Sequence, residues 1–575
     1  MTKSTTLLTA LALFAAASLR AQTYEQVAPK TLPPAPPATL PEAPVATPDA
    51  RDEDRVLVPA LRGLVFLADR AALQPAGSQT EGVQTSAVPL LDRPDVRARL
   101  AAYLGRPLTL GRLREITREA VLALRQQDRP VVDVVVPEQN IQSGTVQLVV
   151  VEGRLGRVSA EGNRWFSSAR LVEAVRLQPG EVIAGDELLS DLAWLNENPF
   201  RRVDLVFARG EGPGETDVIL RTQDRRPWRV YAGYENTGTP LTDEDRVLAG
   251  VNWGDAFGRG QLLNYQFSAS PDFEKFRAHS ASYVAPLPWR HTLTFFGSYA
   301  TSRPELPGGL FKLAGESSQL SARYRVPLRA WHEVTQSFTA GLDFKRSDND
   351  LAFGGTRVFA QSTDVIQAVF AYSASRSDAR GFTAGELTLA LSPGGIGGSN
   401  SKSDFRNARS YADSEYATLR LAVDRTTTLG GGWRWLARGE AQTATTNLLG
   451  SEQLGLGGST QLRGYDEREA NGDYGAYLVN ELRAPAFSLG ERLGRTGSPD
   501  RLEPLVFFDA GVVGVHRALP GEDKNTELMS VGVGLRYAIG GAFSLRFDYG
   551  WQLRDTGLAP GRANHRGHIG VTCAY

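Results

Sequence analysis

Between residues 543 and 553 every second side chain is apolar: Phe543, Leu545, Phe547, Tyr549, Trp551 and Leu553 alternate with Ser544, Arg546, Asp548, Gly550 and Gln552. A period of two belongs to an extended strand with one apolar and one polar face. Residues 529–539 repeat it, with Met529, Val531, Val533, Leu535, Tyr537 and Ile539 on the apolar face. So do 338–345, through Phe338, Ala340, Leu342 and Phe344, and 417–424, through Ala417, Leu419, Leu421 and Val423. A single such strand would suit a soluble sandwich equally well. Number and length decide. About sixteen segments begin near positions 228, 246, 261, 276, 291, 316, 334, 364, 380, 412, 432, 474, 501, 526, 542 and 566, an even count that predicts a closed, lipid-embedded antiparallel β-barrel.

Such a barrel turns its apolar faces to lipid and its polar faces to a wet lumen. Asp343, Lys345, Arg420, Asp424, Arg536, Arg546 and Asp548 then point inward, where they need water or partners. Gaps after odd-numbered strands should face outside and be the longer ones. The gaps at 301–315, 348–363, 393–411 and 447–473 are long, those at 286–290, 427–432 and 540–542 are short, and 485–500 breaks the rule. Trp433 and Trp435 suit an interfacial aromatic girdle. The last strand carries Ile569, Val571, Cys573 and Tyr575 on one face, so Cys573 faces lipid as a small apolar residue.

Upstream of Trp228 the pattern changes to helical periodicity alternating with short strands. A strand near Leu64–Leu67 and a helix after Pro94 come first. A helix from about Leu110 to Gln126 with Leu113, Ile116, Ala120 and Leu124 on one face follows, then strands at 131–137 and 145–153. A strand at 155–160, a helix at 168–176, a helix capped by Asp186 and ended at Asn198-Pro199, and strands at 202–208 and 216–222 repeat the order. Two small α+β modules are predicted, at 55–153 and 154–224, ahead of a barrel at 225–575. Residues 22–54 form an N-terminal segment and linker whose stretch PKTLPPAPPATLPEAPVATP is too proline-rich for a core. The first 21 residues read as a signal peptide, with Lys3, the apolar run 7–19 and Ala21 before the cut.

Composition removes alternatives. Lys plus Arg number 63 against 64 Asp plus Glu, which gives no electrostatic case for nucleic acid. One Cys, at 573, rules out a disulfide framework, and six scattered His lack ligand spacing, so neither metal nor cofactor is expected. No GxSxG or comparable set points to an enzyme.

The chemistry concentrates in the gap 447–473, the sixth external loop, which is long enough to fold back inside. Its stretch GGSTQLRGYDER carries Gly457, Gly458 and Gly464 for sharp turns and Arg463 as a planar, permanently charged fork. In LVFFDAGVV (505–513), Val506, Phe508, Ala510 and Val512 face lipid, so Phe507 and Asp509 face the lumen. Arg463 with Asp509 is the predicted latch. On the surface such a pair would contribute only about 0–1 kcal/mol.

LRGY (462–465) after GGSTQ, together with FFDAG (507–511), resembles the paired loop and strand motifs of the outer-membrane protein-assembly and protein-transport superfamily. The tandem modules resemble polypeptide-transport-associated (POTRA) domains. With the proline-rich spacer and VVVPEQNIQSGTVQLVVVEGRLGRV (134–158), they narrow the likeness to two-partner secretion transporters of the haemolysin and filamentous-haemagglutinin type. The resemblance implies that Arg463 is the loop arginine, Asp509 its wall partner, Gly464 and Tyr465 the supporting tip, and Phe507 and Gly511 part of the strand motif. Leu462 stands where the family usually has Val. It further implies a monomeric, lipid-embedded transporter in the outer membrane of a diderm bacterium, its modules in the periplasm. Such a transporter receives an unfolded exoprotein partner and exports it without ATP. Strand addition at 131–137 and 202–208 is the candidate mode of recognition. The alternative is an assembly factor that inserts other barrel proteins. The family also usually plugs its pore with an N-terminal helix, for which TYEQVAP (23–29) is too short.

Overall fold

The computed structural model describes residues 24–32, 40–41, 54–304, 311–331, 333–353, 356–497, 499–558 and 563–575. The expected signal peptide and most of the proline-rich spacer lie outside them. The chain divides into two compact units, Leu32–Pro227 and the remainder, Met1–Thr31 with Trp228–Tyr575.

Within Leu32–Pro227, the first sheet has the strand order Gly82–Gln84, Gly63–Leu67, Thr145–Glu152, Val132–Val135. The helices Pro94–Ala101 and Leu110–Arg125 share one apolar core with it. Thr109 starts the longer helix by accepting the Arg112 N–H at 3.2 Å. Its apolar stripe buries Ile116, Ala120 and Leu124. The second sheet runs Arg154–Glu161, Glu215–Asp224, Arg201–Arg209, with the helices Ser168–Glu173 and Gly185–Leu195. Asp186 does not cap that last helix. It sits in the first turn, and its own N–H is taken by Asp128 Oδ1 at 2.6 Å. A helix start leaves several N–H groups unpaired, and a carboxylate from another element can serve them as well as the preceding residue can.

Among the described residues of the larger unit, sixteen antiparallel strands close into a barrel. The first, Trp228–Glu235, pairs with the last, His565–Ala574, from Tyr231 opposite Ala574 to Glu235 opposite Gly570. Alternation decides which side chains leave the sheet outward. Val531, Val533 and Trp551 are exposed to the exterior, while Ser530, Asp548 and His568 are buried within. Trp433 and Trp435 are exposed on the outer wall, and so is Cys573.

Two gap assignments change. Residues 348–363 are not a long loop. The strands Val334–Phe353 and Thr356–Asp378 continue through them, with Asp348 opposite Ser362 and Asp350 opposite Ala360. Polar composition suggests a loop there, but the two strands stay paired across the hairpin and their facing backbone groups form a ladder. With 20 and 23 residues, these strands outrun the roughly 9–11 that span a bilayer. The gap at 485–500 holds a short helix, Leu489–Arg492, with Asp500 accepting from Ser488 Oγ and the Leu489 N–H at 2.5 and 2.8 Å. Register survives it, because Asp500–Gly514 pairs in sequence with Tyr474–Arg483. Asp424 is half-exposed and paired with Arg438 at 2.7 Å.

The segment expected to be too short for a plug does enter the barrel. Tyr24–Val27 makes one helical turn. Its Val27 packs with Phe276, Ala278 and Ala300, and Ser280 Oγ and Gln266 Nε2 donate to the Val27 carbonyl at 2.5 and 3.2 Å. Lys30 pairs with Glu235 at 2.7 Å, and its N–H donates to the Tyr231 hydroxyl at 2.9 Å. Backbone-to-wall hydrogen bonds replace helix length, so a single turn holds its place.

The closing seam is testable through the native thiol. Ala232 lies opposite Cys573 on the lipid face, and residues directly opposed in an antiparallel pair have Cα atoms about 4.5–5.5 Å apart, inside the range of about 4.4–6.8 Å that a disulfide needs. An Ala232→Cys variant is expected to oxidise to an intramolecular disulfide and to show, after boiling without reductant, a gel mobility distinct from the reduced chain. Reductant-insensitive mobility would show that the two strands do not meet in this register.

Candidate functional site

The chain between the eleventh strand, Arg434–Ala444, and the twelfth, Tyr474–Arg483, turns back into the barrel. A small ribbon, Leu454–Leu456 against Ala470–Gly472, forms its stem. Gly457 and Gly458 then reverse the chain at φ +105° and +109°, conformations that a side chain would oppose. Leu462 and Tyr465 are buried in an apolar cluster with Leu454, Leu456, Tyr477, Val479, Val513 and Leu528.

This packing delivers Arg463 to the wall with 2% of its surface exposed. Its Nε and Nη2 donate to the two Asp509 oxygens at 2.8 Å each, a parallel fork, and its backbone N–H adds a third bond to Asp509 at 3.2 Å. Nη1 donates to Glu481 at 2.6 Å and reaches Asp548 at 3.4 Å. The guanidinium carbon lies 3.7 Å from the Phe507 ring centroid. Gly532 stands opposite Phe507, and a Cβ there would come within 2.3 Å of that ring.

One arginine among three acids would be unbalanced. Arg536 supplies a second cation, 2.9 Å from Asp548 and 3.5 Å from Glu481, and Arg483 a third, 2.6 Å from Glu481. Charges this far from water are tolerated only when each is paired.

The tip is held through its backbone. Gly464, at φ +93°, donates its N–H to His568 Nε2 at 3.1 Å, and its carbonyl accepts from Gln552 Nε2 at 2.7 Å. A Cβ on Gly464 would lie 3.0 Å from the backbone of Gly550, and one on Gly550 would lie 2.7 Å from the Gly464 nitrogen. The Tyr465 hydroxyl accepts the Met529 N–H at 3.0 Å and sits 2.7 Å from the Arg554 carbonyl. Beside the tip, burial pushes the Glu467 carboxyl up, against the Ser459 N–H that donates to it at 2.8 Å. Gly511 faces Leu456 and Tyr477, where a Cβ would come within 3.0 Å of the stem.

This fold and this loop match a known family. Residues 214–537 fit the family described as "Haemolysin secretion/activation protein ShlB/FhaC/HecB", and residues 79–153 fit the ShlB-type POTRA domain. The chain belongs to the haemolysin secretion/activation family. Like other members, it is a two-partner secretion transporter of the outer membrane with periplasmic POTRA domains. It is 24% identical over 493 residues to the hemolysin transporter protein ShlB of Serratia marcescens, covering 82% of each chain. With the outer membrane transporter CdiB-2 of Burkholderia pseudomallei it shares 22% over 440 residues, 74% of each. Its fold is similar to that of CdiB from Escherichia coli, with a TM-score of 0.72 at 18% identity over 93% of this chain and 94% of that one.

The residues singled out in the sequence thus meet at one contact, Arg463, Gly464 and Tyr465 from the docked loop and Phe507, Asp509 and Gly511 from the thirteenth strand, Asp500–Gly514. Glu481, Arg536, Gly550, Gln552 and His568 were not foreseen as partners of the loop, although alternation had already turned Arg536 and Asp548 inward and set Gly550 and Gln552 on the polar face. The same alternation would place Glu481 and Gly550 on the lumenal face, but only closure of the barrel brings strands twelve to sixteen around one arginine.

Two predictions follow from this geometry. Arg463→Asp or Asp509→Arg alone should cost the docked loop about 3–5 kcal/mol, as when one partner of a buried pair is removed. Each should cut secretion while the barrel stays inserted, and the exchange of both should restore secretion in part. Normal secretion by either single variant, or no recovery in the exchange, would reject the latch. Gly550→Val, which alters neither motif, should expose the loop to added protease by intruding on the Gly464 backbone. Wild-type protease resistance would show that this close approach is dispensable.

Proposed function

We propose that the exoprotein partner crosses unfolded through the barrel lumen, with the Arg463 latch holding the inward loop in the state that transport requires. The carrying observation is that a closed, polar-walled barrel is occupied by two of its own segments, the Arg463 loop and Tyr24–Thr31, around a cavity of about 1940 Å³. A folded domain would not pass such a lumen, whereas an extended chain would once a segment shifts.

Both strands chosen as docking edges, Val132–Val135 and Arg201–Arg209, stand at open edges of their sheets. An unfolded partner could extend either sheet by strand addition, its backbone supplying the hydrogen bonds. We assign residues 55–153 and 154–224 to the two periplasmic modules and 225–575 to the barrel. The transporter works as a monomer in outer-membrane lipid and has no catalytic role.

Deleting the gene and measuring both the culture medium and the outer membrane tests this reading. Loss of one large exoprotein from the medium, with other barrel proteins at normal levels, is expected. A general fall in barrel proteins would instead favour the assembly-factor alternative.

A further inference from the structure

Around the barrel circumference the lumenal contacts fall into sectors. Tyr24–Thr31 touches strands one to six, through residues such as Tyr231, Ser280 and Gln319. The Arg463 tip occupies strands twelve to sixteen, through Glu481, Asp509, Arg536, Asp548 and His568. Between them lies a second buried polar cluster, and it too grips the inward loop.

Its centre is Glu452, in the limb that enters the barrel before the stem. Lys345 Nζ, from the seventh strand, donates to both Glu452 oxygens at 2.9 and 3.1 Å. Gln367 Nε2, from the eighth, lies 3.2 Å from Glu452 and 3.0 Å from Asp343. The Tyr416 hydroxyl orients that amide by donating to Gln367 Oε1 at 2.9 Å, and Arg323 closes the set on Asp343 at 2.7 Å. Gln442 Nε2 binds the Glu452 carbonyl at 3.1 Å. The loop is therefore fastened at two places, with five strands between those of Lys345 and Asp509.

The two fastenings differ in access. Lys345, Asp343, Gln367 and Glu452 line the lumenal cavity, while Arg463, Asp509, Glu481 and Asp548 do not. They differ in strength as well. Arg463 holds a bidentate carboxylate, a second acid, an aromatic face and a backbone contact, whereas Glu452 depends on one ammonium and two amides, one of them on its carbonyl. An entering chain meets every ionic group of the weaker fastening, whereas of those in the stronger one only Arg536 faces the cavity.

We infer that Lys345 and Glu452 form a releasable clasp, opened before the Arg463 latch, that sets the resting width of the lumen by positioning the entering limb of the loop. This rests on passage of the partner through the lumen. Lys345 and Glu452 are positioning residues. They hold the limb against strands seven and eight, and release widens the cavity on that side while Arg463 keeps the tip docked.

The test uses the full-length protein in planar lipid bilayers and the same variants in secreting cells. Glu452→Gln removes the one acid that Lys345 binds directly, leaving only Asp343 and Glu25 near its ammonium, and should raise the open probability about tenfold, the equivalent of ~1.4 kcal/mol. Gln367→Leu, which keeps both charges, should move it the same way by less. The exchange Lys345→Glu with Glu452→Lys should return the resting conductance, a rescue that loss of packing alone would not give. Wild-type conductance in both single variants, or an exchange that stays open, would overturn the clasp. An Asp509→Asn control separates the two readings. If it secretes normally while Glu452→Gln opens the pore, the latch fails and the clasp stands. If it blocks secretion while Glu452→Gln stays closed, the clasp alone fails.

Discussion

In hydrocarbon no water is present to pair with a backbone N–H or C=O, so a membrane-crossing sheet must have no free edge. Everything else in the larger unit depends on that requirement. It makes the first strand pair with the sixteenth, and in doing so it creates an interior where polar faces from distant parts of the chain converge. A lumen ringed by arginines, lysines and carboxylates is stable only if those groups find water or each other. The inward loop and the N-terminal segment supply much of that partnership.

The loop shows how such an interior is organised. An ion pair contributes little on a surface, because water screens it and two long side chains must be ordered. The Arg463 set escapes both limits. Apolar packing of Leu462 and Tyr465 and the contact of Gly464 with Gly550 fix the backbone first. The guanidinium then arrives between Asp509, Glu481 and Asp548 with little conformational freedom left to lose. Three cations and three anions share the site, so no charge is stranded. The Glu452 set follows the same logic with fewer bonds and with its side chains facing the cavity, which makes its hold on the loop weaker.

The N-terminal segment illustrates a different economy. Four helical residues cannot persist alone, since helix nucleation is unfavourable and isolated short helices are marginal in water. Inside the barrel, Gln266, Ser280, Tyr231 and Gln319 bind its backbone directly. A length-based judgement fails there because the wall, not the helix ladder, satisfies the peptide groups. The long hairpin through Asp348–Asp350 is the same lesson in a strand: polar composition read as a loop, and the partner strand made it a ladder.

What the sequence determined on its own was whatever has a short period. Alternation in 543–553 and its counterparts set strand number, most start points and the inward turn of Asp509 and Asp548, because side chains on a strand alternate whatever lies across from them. The helical stripe of Leu110–Arg125 and the two module repeats were legible for the same reason. Glycines and an arginine marked the loop as special, and the motif likeness named its partner. Tertiary structure alone decided that Glu481 and Arg536 complete the latch, that Gly550 must lack a side chain, and that Lys345 meets Glu452 across 107 residues of chain. Those contacts join strands whose order around the ring is a property of closure, and closure leaves no trace in any one segment.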